Sequence, residues 1–196
     1  MTLSGTKCWF CVIFVGFASL TGCEQRRATI PQGIQVFFSP QGGCTEAVVV
    51  ALNHATNSVF VQAYSFTSAP IAKALTDAHQ RKVKVRVILD DSQRTEKYSE
   101  ADFLEHYGIP PLIDAKHAIA HNKIMIIDEG IIITGSFNFT KSAEEKNAEN
   151  LLVINDPALA QKYVENWHRH EAHAEPFEKP ISDKPASKPR RATSRP

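Results

Sequence analysis

Between His121 and Asn138 the chain reads H-N-K-I-M-I-I-D-E-G-I-I-I-T-G-S-F-N. Two short apolar runs flank D-E-G, a pattern that reads as two strands joined by a tight turn. Alternate strand residues share a face, so His121 and Lys123, two apart, project together. A hairpin returns Gly135, Ser136 and Asn138 to the neighbourhood of His121. A base or nucleophile, a fixed cation and small hydrogen-bond donors then meet at one end of the sheet. Such a set can hold and attack an anion.

The rest of the chain must supply a sheet for that hairpin. Its 196 residues suit one domain with appendages, and an apolar content of 43% is enough for a core. The net charge of +1 conceals an asymmetry. Residues 179–196 hold six basic residues and one acidic one, while the remaining 178 hold 16 basic and 20 acidic groups. Attraction to polyanions therefore rests on local patches and the tail, not on the body as a whole.

The body alternates strand and helix patterns. Ile34–Phe38, Ser58–Tyr64 and Val83–Leu89 read as strands. Between them, Ala47, Val48, Ala51, Leu52 and Ala55, then Ile71, Ala74, Leu75 and Ala78, recur at helical spacing. Ser68 stands where a cap belongs, with Pro70 in the first turn. Leu112–Asp114 predicts a short strand before the hairpin. A helical turn over 140–146, a strand over 149–154 and an amphipathic helix from Pro157 follow it. Successive β-α units imply right-handed crossovers. The expected fold is α/β, a mixed, mainly parallel sheet flanked by helices.

Residues 1–23 read as a targeting segment, with Lys7 before a 13-residue apolar run, Cys8–Leu20. A membrane span needs roughly 20 residues, so the run suits a signal peptide better. Leu20-Thr21-Gly22-Cys23 resembles the bacterial lipoprotein box, which implies cleavage before Cys23 and its acylation. An uncleaved anchor and ordinary signal cleavage are the alternatives, and all three place the domain outside the cytoplasm. Cys8 and Cys11 would leave with the leader, and Cys44 remains as a single thiol, read as partly buried. Residues 24–33 are a tether, 34–175 the folded domain and 176–196 a basic, proline-rich tail expected to be disordered. There is no internal repeat.

His121-x-Lys123-x4-Asp128, followed by Gly135-Ser136-x-Asn138 and by Glu149 at the head of the next strand, resembles the HKD signature of the phospholipase D superfamily. The likeness spans about Ile34 to His173 and is strongest to the small single-motif bacterial nucleases. It implies a phospholipase D-like sandwich and a role for each residue. His121 is the nucleophile, forming a phosphohistidine. Lys123 binds a non-bridging oxygen, Asn138 donates to the same phosphoryl group with Ser136 in support, and Glu149 orients His121. Asp128 falls at the turn, far along the strand from His121, and reads as structural. Relatives with two motifs draw the general acid from a second histidine; with one copy here, the likeness implies a homodimer completing the site. It implies no cofactor and no metal for this reaction.

Other features have plainer readings. His170-Glu171-Ala172-His173 is one residue short of H-E-x-x-H, so these residues with His168 read as a solvated helix end. Asp90 and Asp91 read as strand-end turn residues or dimer contacts, and His117 as near the motif without a part in it. Nucleic acid, cleaved with little sequence preference, is the expected substrate. A phospholipid headgroup at the membrane to which Cys23 would anchor the chain is the alternative, and a silent phosphate-binding protein a minor third.

Overall fold

The structure is a computed structural model that describes residues 33–178. The leader, Cys23 and nearly all of the tether precede them, and the tail beyond Glu178 follows them. Those expectations lie outside the described residues.

Eight strands form one sheet. They are β1 (Gly33–Ser39), β2 (Ser58–Ala63), β3 (Lys84–Asp90), β4 (Leu112–Asp114), β5 (Lys123–Ile127), β6 (Ile131–Gly135), β7 (Glu149–Asn155) and β8 (Glu175–Pro176). Their order across the sheet is β1-β7-β6-β5-β2-β3-β4-β8. Helices α1 (Cys44–His54) and α2 (Ala69–Gln80) cover one face, with short α3 (Ala101–His106) and α4 (Lys141–Glu145) beside them. The long C-terminal helix α5 (Pro157–Glu171) covers part of the other face.

The sheet is mixed and flanked by helices, as expected, but not mainly parallel. Only β2–β3 and β3–β4 pair in parallel, against five antiparallel pairings. The run β2-β5-β6-β7 supplies three of the five. A fourth comes from β1, which does not sit beside β2 but runs antiparallel to β7 at the far edge, with Ser39 opposite Glu149. The three strands β5, β6 and β7 are thereby inserted between β1 and β2.

Alternation along each strand feeds two cores. Val59, Val61, Ala63, Met125, Ile127 and Ile133 point toward α1 and α2. Phe60, Ile124, Ile126 and Ile132 point toward α5, where Trp167 is fully buried. Phe60 stacks on Trp167 at 4.9 Å between centroids, and the indole N–H donates to the Val61 carbonyl at 2.9 Å. Burial of such a side chain contributes roughly 3 kcal/mol, and here it fixes the path of α5 across the sheet.

Local expectations mostly meet the helix bounds. Ile71, Ala74, Leu75 and Ala78 are buried, with Pro in the first turn of α2. Ser68 holds the N-cap position, but its side chain makes no capping bond. At the C-terminal end, Pro176 pairs with Leu112 and Phe177 is buried. The folded domain therefore runs past residue 175, and the tail begins later than proline content alone suggests.

Candidate active site

The hairpin β5–β6 carries the site at the Lys123 end. Tyr64 N–H donates to the Asn122 carbonyl, which fixes the entry to β5 against β2. His121 is exposed just before the strand, and Lys123 is its first residue, 6% exposed. The Lys123 ammonium donates to the His121 carbonyl at 2.8 Å and lies 5.0 Å from the centre of the Tyr64 ring. Burial pulls its pKa below the ordinary lysine value, while the carboxylates of Glu149 and Asp90 oppose that shift. Lys123 is thus a largely buried cation on a strand, under the influence of two carboxylates.

On the returning side, alternation does the positioning. Phe137 and Phe139 are fully buried, while Ser136 is exposed and Asn138 half-buried between them. The Ser136 hydroxyl accepts from the Asn150 N–H at 3.1 Å and from its side-chain amide at 3.3 Å. Asn138 Oδ1 is buried with no partner. Glu149 opens β7, where its N–H donates to Ser39 Oγ and its carboxylate accepts from the Asn147 amide at 3.1 Å.

Gly135 makes this corner possible. Its φ is +151°, and a Cβ there would stand 2.2 Å from the Asn150 carbonyl oxygen. Gly135→Ala is expected to cost roughly 2 kcal/mol of stability. A urea titration checks this, and an unchanged midpoint would mean that β7 yields without cost.

Asp128 lies at the opposite end of the strand. It and Glu129 both have φ of 51°, a left-handed pair that closes the turn. Its carboxylate accepts from the backbone N–H groups of Thr56, Asn57 and Ser58 and from the Thr56 hydroxyl, at 2.7–3.2 Å. Burial raises its pKa, but those hydrogen bonds outweigh it and hold the carboxyl below its ordinary value. Asp128 thus ties the hairpin turn to the loop between α1 and β2.

Two features escaped sequence reading, and Asp90 does more than the turn chemistry expected of it. Tyr64 faces the His121 ring at 4.6 Å between centroids as well as Lys123, a placement that depends on β2–β5 register. Asp90 is buried and accepts from Ser92 N–H at 3.0 Å and from Ala120 N–H at 2.7 Å, so it also fixes the segment leading into His121. The other missed feature is a cluster in which His117, His170 and His173 surround the fully buried Asp114. His170 and His173 are therefore not a solvated helix end. Only His168 turns away, to pair with Glu171 at 2.8 Å. Burial would raise the Asp114 pKa, but hydrogen bonds from His170 and His117 hold it at about 2. Cys44 is buried, and burial followed by nearby Glu144 pushes its thiol up to about 11, which leaves it unsuited to attack.

Comparison with known proteins gives concordant likenesses. The family model described as "Cardiolipin synthase, PLD-like domain" matches residues 48–170. A relative named phospholipase D from Rickettsia felis is 42% identical over 139 residues, covering 71% of this chain and 70% of the relative. The crystal structure of a phospholipase D family member, Nuc from Salmonella typhimurium, is similar with a TM-score of 0.71 and 38% identity. It covers 74% of this chain and 97% of that one. NucT from Helicobacter pylori gives a TM-score of 0.69 and 28% identity, over 74% and 98% of the two chains.

Proposed function

This chain belongs to the phospholipase D superfamily of phosphodiester hydrolases, and on that premise we propose that it cleaves the phosphodiester backbone of nucleic acid with little sequence preference. The observation that carries the choice of polymer is the openness of the site. His121 and Ser136 are exposed at the sheet end, and the groups beside them are polar donors that would meet a backbone phosphate.

The reaction runs in two displacements. A nitrogen of neutral His121 attacks phosphorus, and the P–O bond to the leaving alkoxide breaks as that oxygen takes up a proton. Lys123 offsets the charge gathering on the non-bridging oxygens, with Asn138 and Ser136 as donors and Glu149 orienting the imidazole. Water then attacks the phosphohistidine, its proton is removed, and His121 is released.

One motif per chain leaves the proton donor to the His121 of a second copy, so the working form is a homodimer. A row that is apolar and exposed among the described residues supports this. Ile34, Val36 and Phe38 on β1 are 69%, 52% and 63% exposed. Phe38 lies opposite Asn150, the residue that holds Ser136, so the row ends beside the site. A second copy seated there would cover it. The leader and Cys23, if processed as a lipoprotein, would hold this dimer on the outer side of a membrane.

The named phospholipase D relative favours one alternative, the same chemistry on a phospholipid headgroup. The test is to incubate the purified full chain, beside His121→Ala, with plasmid DNA, RNA and phosphatidylcholine vesicles. Nicking of DNA or RNA by wild type alone supports the nuclease reading, whereas headgroup release without nucleic-acid cleavage would replace it. A chain that is fully active while monomeric by light scattering would remove the shared-site mechanism.

A further inference from the structure

We propose that Asp114, His117, His170 and His173 form a structural binding site for a zinc-class divalent cation, separate from the phosphodiesterase centre. The four residues come from three segments that only the fold brings together: the end of β4, the loop after it, and the last turn of α5 with the residues just beyond. One ligand atom from each lies within 4.8 Å of all the others.

The spacing suits four-coordination. His170 Nδ1 is 2.7 Å, His173 Nε2 3.1 Å and His117 Nδ1 3.0 Å from the nearest Asp114 oxygen. A tetrahedral zinc ion with bonds of about 2.0–2.1 Å has ligand atoms roughly 3.3 Å apart, so the imidazole-to-carboxylate distances would open by a few tenths of an ångström while ligand atoms as far apart as 4.8 Å would close onto the ion. The three rings lie 5.0–5.6 Å apart between centroids, close enough for a nitrogen of each to converge on one cation. Asp114 is fully buried, and a carboxylate removed from water calls for a compensating positive charge.

Three nitrogens and one oxygen select among ions. Imidazole-rich sets suit zinc and its first-row neighbours, whereas magnesium and calcium take oxygen ligands. Four protein ligands leave no open position, so the ion would act as a clamp and not as a catalyst. It would tie α5 to β4 and fix the loop that continues through Ala120 to His121. Asp90 already holds that loop from its other side. His168 takes no part, because it pairs with Glu171 and packs edge-on against Phe60.

The purified full chain is stripped with chelator, titrated with ZnCl2, and compared with MgCl2 and CaCl2. One zinc per chain is expected, with a rise in melting temperature of roughly 5–10 °C at a hundredfold excess over the dissociation constant. Magnesium and calcium should give no such rise. His117→Ala, a change at a half-exposed ring, should weaken zinc on the order of 100-fold. The double variant His170→Ala, His173→Ala should lose it. His121→Ala should bind zinc as wild type does, which keeps this outcome independent of the catalytic assignment. Absence of stoichiometric zinc on the folded wild type overturns the proposal. So does full retention by the double variant, which would place the ion elsewhere in the chain.

Discussion

His121→Ala is expected to lower phosphodiester turnover by at least about 10^4-fold while leaving the melting temperature nearly unchanged. The magnitude follows from the removal of a covalent route. Without the imidazole, water must attack an unactivated diester directly, and what remains is the positioning by Lys123, Ser136 and Asn138. The small thermal effect follows from exposure, since His121 stands clear of both cores. Its ring contact with Tyr64 and the bond that its backbone carbonyl accepts from Lys123 attach the residue to the fold, and the second survives substitution. The decisive measurement is an acid-free denaturing quench with phosphorus-labelled substrate. Wild type should carry label on the protein at His121, and the variant none. Label on another residue, or undiminished turnover by the variant, would remove His121 from the role of nucleophile.

The largest loss of stability is expected at Asp128, far from the chemistry. Asp128→Ala leaves three backbone N–H groups and one hydroxyl without their shared acceptor and keeps a left-handed turn with no anchor. The cost should be about 3 kcal/mol, read as a fall in the urea midpoint. The sign of the pH dependence can be worked out. The folded carboxyl has a pKa below the ordinary unfolded value of about 3.9. Its contribution is therefore complete above that unfolded value and is lost as pH falls through the folded one. Asp128→Asn should accordingly narrow the gap to wild type in acid and show its full deficit near neutrality. A deficit independent of pH would mean that shape, and not charge, holds the turn. Any residual activity of the folded fraction should match wild type, because Asp128 touches no group of the site.

Asp128 also illustrates what a spacing pattern conveys. The third letter of the motif is separated from His121 by a strand length, and that distance alone excludes it from the reacting atoms. What it does instead, gripping the loop at Thr56–Ser58, involves residues about 70 positions away and is visible only after folding. The metal cluster is the sharper case. Spacing within 168–173 argues against a helical zinc motif, and that argument is sound for those residues alone. The missing ligands, Asp114 and His117, lie 53 to 59 residues earlier and reach the helix end because Trp167 pins α5 across the sheet.

Strand alternation, helical spacing and the H-x-K and G-S-x-N pairs are local properties, because backbone geometry imposes periods of 2 and 3.6 on neighbouring residues. From them alone came the hairpin and the buried faces of α1 and α2. The far-edge placement of β1, the contact of Tyr64 with His121 and Lys123, and the convergence of three histidines on Asp114 were decided by tertiary structure. Each depends on which distant segments pack together, and that is settled by the summed burial of two cores, not by any short stretch of chain.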